Sequence, residues 1–140
     1  MRTLSLGLIA LLLVVSARAE DLVTLAREYR QLREVRGWFS GGDQWVEAVD
    51  SWNGRKHRVM GRLGALLGDG RHRAVEVEEL MGPPDKTAAP GSNLWALAGG
   101  ECGEGTQRML IYSWRGGHDF LCFWYRDGQI TGSHWWMAGE

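Results

Sequence analysis

This chain of 140 residues predicts an α+β fold, with N-terminal helices packed on one face of a three- to four-stranded antiparallel β-meander. Three observations lead there. Apolar residues recur at steps of three and four through the first half, as an amphipathic helix requires. From Ser92 onward the pattern changes to short runs rich in aromatic and β-branched residues. Glycine-rich turns separate those runs, and the last turn, Asp127-Gly128, is the strongest hairpin signal in the chain.

The N-terminus reads MRTLSLGLIALLLVVSARAED. Arg2 precedes an apolar stretch from Leu6 to Val15, and Ala17 and Ala19 stand at the spacing a signal peptidase accepts. The stretch is half the roughly 20 residues a spanning helix needs. Residues 1–19 are therefore expected to be a cleavable signal peptide and residues 20–140 a single α+β domain, helical over 20–82 and sheet over 93–138. The expected location is secreted or periplasmic, with no integral membrane segment after cleavage. No Cys follows the cleavage point, so no lipid anchor is expected.

Cleavage after Ala19 removes two of the 16 basic residues and none of the 17 acidic ones, leaving a net charge of −3. That balance, with no basic run, argues against nucleic acid as a partner. Eight Trp residues imply a heavily aromatic core or an exposed aromatic surface.

In the first half, Leu22, Leu25, Tyr29, Leu32 and Val35 make one face of a helix over Asp21 to Phe39, ended near Gly37. After SGGD, Asp43 is the expected cap of a second segment carrying Trp45, Val46, Val49 and Trp52. A third helix runs from Arg55 to Leu67 with Gly68 as its C-terminal cap, and a short fourth bears Val77, Leu80 and Met81 and stops at Gly82-Pro83. KTAAPGSN reads as a loop. The basic clusters Arg55-Lys56-His57 and Arg71-His72-Arg73 read as solvated helix faces. His57, His72, His118 and His134 fall at no metal-ligand spacing, so neither a metal nor a cofactor is expected.

In the second half, strands are expected over Leu94 to Ala98, Gln107 to Trp114, Asp119 to Tyr125 and Gln129 to Met137. Turns centred on Gly116-Gly117 and Asp127-Gly128 set the register. They place Met109, Ile111, Phe120, Cys122, Trp124, Trp135 and Met137 on one face, and Leu110, Tyr112, Trp114, Leu121, Phe123, Tyr125, Ile130, His134 and Trp136 on the other. Both faces are apolar, whereas an antiparallel sheet usually wets one. The Met, Ile and Cys face is expected to be the core and the Tyr, Trp and His face an interface. Cys102 and Cys122 are either a disulfide, which needs the link GGECGEG to fold back over the sheet, or Cys122 is a buried free thiol.

Val77-x-x-x-Met81-Gly82-x-Pro84-Asp85, Ile111-Tyr112, and Leu121-x-Phe123-x-Tyr125 running into Asp127-Gly128 resemble the small-protein-A/outer-membrane-lipoprotein-A group. That group includes the smallest lipoprotein of the bacterial outer-membrane barrel-assembly machine, and its fold is similar to half of the β-lactamase inhibitor protein. The resemblance covers roughly residues 70–131. It implies helices on one side of the sheet and a non-catalytic role built on protein contacts. The chain also looks like a member of small secreted families to which no activity is attached.

The expected function is a secreted or periplasmic interaction module that binds a protein partner, or a second copy of itself, through the aromatic sheet face. Tyr112, Trp114, Tyr125, His134 and Trp136 are the anchors, with Arg115, His118 and Asp119 at the rim. The alternative is a small hydrolase or ligand-binding protein with a pocket around His118 and His134. No catalytic residue is assigned, because His118 and Asp119 are adjacent and would diverge in a strand, leaving WRGGHDF to read as a hairpin tip.

Overall fold

A computed structural model of the chain describes residues 21–98, 102 and 105–138; the expected signal segment, 1–19, lies outside the described residues. The architecture is α+β. Helix α1 spans 21–33, and a 3-10 turn at Trp38–Ser40 precedes α2 (Glu47–Asp50), α3 (Arg55–Leu67) and α4 (Ala74–Met81). Strand β1 (Lys86–Ala88) and helix α5 (Asn93–Ala98) lead into β2 (Arg108–Arg115), β3 (Asp119–Arg126) and β4 (Gln129–Trp136). The sheet is antiparallel in the order β1-β2-β3-β4. Among the described residues no helix is long and apolar enough to cross a membrane.

Helix α3 matches its sequence expectation from end to end, and its Val59, Met60, Leu63 and Leu67 are buried. Helix α4 is held at its start by Glu76, whose carboxylate accepts the Arg73 backbone N–H and lies 3.1 Å from His72 Nδ1. It stops at Gly82, where φ is +84°. Helix α1 ends earlier than its apolar spacing suggests. The chain leaves the helix before Arg36-Gly37 and is captured by a side chain from α2, described below.

Two elements differ from the sequence expectation. Leu94 to Ala98 is helical, because the Ser92 hydroxyl accepts the Trp95 N–H and Ala96 N–H bonds back to the Ser92 carbonyl. Leu and Ala favour that nucleated turn, and a five-residue apolar run carries no period that separates strand from helix. The fourth strand comes instead from KTAAPGSN. Lys86, Thr87 and Ala88 pair with Ile111, Leu110 and Met109. Asp85 starts the pairing by accepting Ser113 N–H at 2.8 Å while its own N–H donates to Ile111 O.

The register has two bulges that glycine-centred turns do not reveal. Tyr112 faces Leu121 and Ile111 faces Cys122, as expected, but Arg115 rather than Trp114 faces Asp119. Between β3 and β4, Tyr125 faces Ile130, then Thr131 is taken up as an extra residue. Phe123 therefore faces Ser133, Leu121 faces Trp135, and Phe120 faces Trp136. That one-residue insertion moves His134 and Trp136 to the Cys122 face and Trp135 to the Tyr112 face.

The two faces are also exchanged relative to expectation. Leu110, Tyr112, Trp114, Leu121, Phe123 and Ile130 form the main core with Leu25, Ala26 and Tyr29 of α1, Val59, Met60, Leu63 and Leu67 of α3, and Val77 and Met81 of α4. The large rings fill the space between these helices and the sheet, and the Tyr112 hydroxyl is satisfied by the Gly82 carbonyl at 2.9 Å. The opposite face, with Met109, Ile111, Phe120, Cys122 and Trp124 and with Ala88 and Trp136 of the flanking strands, is covered by Leu94, Trp95 and Ala98 of α5 and by Cys102. Both cysteines are free thiols.

Helix α3 approaches the sheet through small residues. A Cβ on Gly68 would overlap the Ser133 side chain, whose hydroxyl donates to Gly64 O at 2.7 Å, whereas a Cβ on Gly61 meets nothing within 4 Å. Gly68→Ala should therefore lower unfolding free energy by about 1–3 kcal/mol through overpacking. Gly61→Ala should raise it by about 0.5–1 kcal/mol by removing a mid-helix glycine. Urea denaturation of the two variants checks the opposite signs.

Candidate binding surface

The connection between α1 and α3, residues 34–54, has little apolar core of its own and is organised by one carboxylate. Asp50, buried at the end of α2, accepts the backbone N–H groups of Trp38 at 2.9 Å, Phe39 at 3.4 Å and Val46 at 2.7 Å. A Cβ on Gly37 would collide with that carboxylate. Asp50, not Asp43, is thus the residue that sets this segment, reaching back across twelve residues in a way no local capping pattern signals.

The segment meets the β2–β3 hairpin tip. Arg115 lays its guanidinium 4.1 Å above the Trp114 ring centre and 4.9 Å from that of Phe39, and it pairs with Asp119 at 2.9 Å. The pairing is buried rather than exposed, with Asp119 only 4 % accessible. Asp119 also accepts Ala138 N–H at 3.0 Å, and His118 Nδ1 lies 3.4 Å from its Oδ1. His118 and Asp119 do not diverge, because His118 belongs to the turn and strand alternation does not govern it. Desolvation pushes the Asp119 carboxyl up, but bonds from Ala138, Arg115 and His118 outweigh it and hold the group below the usual carboxylate range.

Trp114 is buried and anchored at both ends, its indole N–H donating to Val49 O at 3.0 Å and its carbonyl accepting Lys56 Nζ at 3.1 Å. Lys56, expected on a solvated face, is buried, and burial lowers its amine pKa. Its neighbours in that basic triplet are also engaged. Arg55 pairs with Glu28, and the His57 ring sits 4.4 Å from Trp114, 4.5 Å from Trp52 and 5.1 Å from Trp135. Burial and the Arg115 charge lower the His57 pKa. Rings therefore touch in a continuous series from Trp45 through Phe39, Arg115 and Trp114 to Trp52, His57 and Trp135.

The sequence-predicted site residues divide into three places. Trp114, Arg115, His118 and Asp119 come together at the tip. Tyr112 lies inside the core, and Tyr125, half-buried, packs against the same core at the far end of β3. His134 and Trp136 are on the outer face, Trp136 against the Cys122 cluster and His134 6.2 Å from the Trp124 ring. His134 also lines a groove of about 340 Å³ with Gly61, Gly64, Ala65, Leu121, Ser133 and Trp135; His118 is not in that lining. Among the described residues no three His, Cys, Asp or Glu side chains gather as a metal site.

Trp38, Trp45 and Trp52 are not among the expected site residues; the sequence places Trp45 and Trp52 only on the face of the second segment. The three are 56 %, 53 % and 61 % exposed. Trp45 Nε1 is held by Glu47 and Ser51, and Trp52 is stacked on His57. Their even spacing, seven residues apart, was a readable signal only once no helix or strand claimed the segment.

Fold and surface together define a sheet enclosed between helical layers that displays rigid indoles beside a hairpin tip. No protein-family model, curated protein or solved structure matches the chain.

Asp50→Ala should leave three backbone donors without their acceptor and lower stability by about 2 kcal/mol or more, with the 37–46 amides losing hydrogen-exchange protection first. Stability should also fall with acid in two stages. Because the folded His57 pKa lies below 6.5, the unfolded chain takes up that proton first, so stability is lost as pH falls below 6.5. Asp119, depressed in the fold, contributes stability present above its ordinary value of 3.8 and lost as pH drops through its lower folded value. Denaturation across a pH series should show both stages, and His57→Gln should flatten the first alone.

Proposed function

We propose that the chain is an exported, non-catalytic protein-interaction module that docks its partner through the exposed indoles of Trp38, Trp45 and Trp52, with Arg115 and His118 at the margin. One observation carries the reading. Three tryptophans are more than half exposed within fifteen residues, and two of the rings are held in place, Trp45 by hydrogen bonds to Glu47 and Ser51 and Trp52 by stacking on His57, while the backbone of Trp38 is fixed by Asp50. Trp and Arg concentrate at protein interfaces because they combine apolar area with hydrogen-bonding capacity, and rigid side chains lose little entropy on docking. The signal-like N-terminus supports export, and the resemblance to small-protein-A-like proteins supports a role in protein contacts.

This reading moves the anchors off the sheet. Tyr112 and Trp114, at 0 % and 1 % exposure, already spend their rings on the core. The residues that retain unspent aromatic surface lie in the α1–α3 connection.

In-cell crosslinking from a photoreactive residue at position 52 identifies the partner. Against that partner, Trp45→Ala and Trp52→Ala should each weaken binding about thirtyfold, the equivalent of about 2 kcal/mol, with little change in Tm. Trp136→Ala, on the other sheet face, should leave affinity intact. Full affinity in both Trp45→Ala and Trp52→Ala would remove this surface from consideration.

A further inference from the structure

The outer sheet face carries a pair of groups that the binding surface does not use. Cys122 lies at the centre of β3, fully buried between Ile111 of β2 and His134 of β4, and its Sγ donates to the His134 carbonyl at 3.2 Å. Cys102, in the α5–β2 connection, packs against the cluster of which Cys122 is a member. Cys102 therefore lies on the sheet face that carries Cys122. Cys102 is only partly buried, so one thiol is within reach of solvent, and the chain holds no third cysteine to compete.

We propose that Cys102 and Cys122 are a modification site: a small disulfide-bearing oxidant closes them into an intramolecular disulfide that fastens Cys102 onto the outer sheet face. The exposed Cys102 reacts first. Its thiolate bonds to one sulfur of the oxidant, the oxidant's S–S bond breaks, and one oxidant thiolate leaves. The Cys122 thiolate then attacks the Cys102 sulfur and expels the second oxidant thiolate. Two electrons pass from the cysteines to the oxidant's disulfide, and the two cysteine protons end on the released thiols or in water.

The order of steps follows from burial. Burial raises the Cys102 pKa, and burial together with the neighbouring Cys102 pushes Cys122 up to about 12. The second attack is the slow one at neutral pH, so a mixed disulfide on Cys102 accumulates there and clears as pH rises.

The test exposes the reduced full chain to oxidised glutathione at neutral and alkaline pH and follows intact mass, non-reducing peptide maps and Tm. The expected result is a glutathione adduct on Cys102 that converts, faster in alkali, to a Cys102–Cys122 linked peptide lacking two hydrogen atoms. The linked protein should melt on the order of 10 °C higher than the reduced one, and a reductant should reverse the gain. Cys102→Ser, whose substituted residue is partly exposed and leaves Cys122 in the core, should fold, melt like the reduced protein and show no gain. Thiols that both remain alkylatable after alkaline exposure would overturn the proposal. So would an adduct that never resolves, bonds only between chains, or a linked peptide with unchanged Tm.

Discussion

Strands β2 and β3 bury side chains in both directions, and the rest of the molecule is arranged to keep water from both faces. Met109 through Tyr112 are buried without interruption in β2, and Asp119 through Trp124 in β3. Antiparallel hairpins usually leave one face wet, so such strands are stable only when something covers each side. Helices α1, α3 and α4 cover the face that carries Tyr112, Leu121 and Phe123, and α5 with Cys102 covers the other. A missing cover on either side would expose a continuous apolar band along the two central strands.

This two-sided demand was legible in the sequence, but its solution was not. The apolar alternation of both faces, the helix over Arg55–Leu67 and the pairings of Ile111 with Cys122 and Tyr125 with Ile130 follow from periodicity and turn chemistry. The identity of the second cover did not follow. Leu94 to Ala98 is too short for its pattern to distinguish helix from strand, and the contact by which Asp85 leads β1 onto the β2 backbone is long-range. Nor could spacing reveal the extra residue at Thr131, which alone reassigns His134, Trp135 and Trp136 to opposite faces. Tyr112 and Trp114 were read as open surface by the same route, because the face that carries them is the main core.

Burial of Trp114 ties the core to the surface chemistry. Its indole reaches Val49, its carbonyl holds Lys56, and Arg115 beside it contacts Phe39 and the Asp50 carbonyl. Lys56 is costly to bury as a cation, which the lowering of its pKa expresses, yet it supplies a donor at the point where the bulge at Trp114 leaves a carbonyl off the regular ladder. The hairpin tip, the α1–α3 connection and the start of α3 are consequently one bonded unit rather than three loops.

That unit explains how the eight tryptophans are distributed. Trp114 and Trp124 are consumed by the two cores, and Trp95, Trp135 and Trp136 by their margins. Trp38, Trp45 and Trp52 fall in a segment that fully buries only Val49 among its apolar side chains and whose backbone is gathered by the Asp50 carboxylate. A loop stabilised by apolar burial would turn its indoles inward. A loop stabilised by backbone hydrogen bonds to one buried acid is under no such constraint, and it can hold large apolar rings toward solvent without losing its shape. The aromatic display is thus a consequence of where the segment draws its stability.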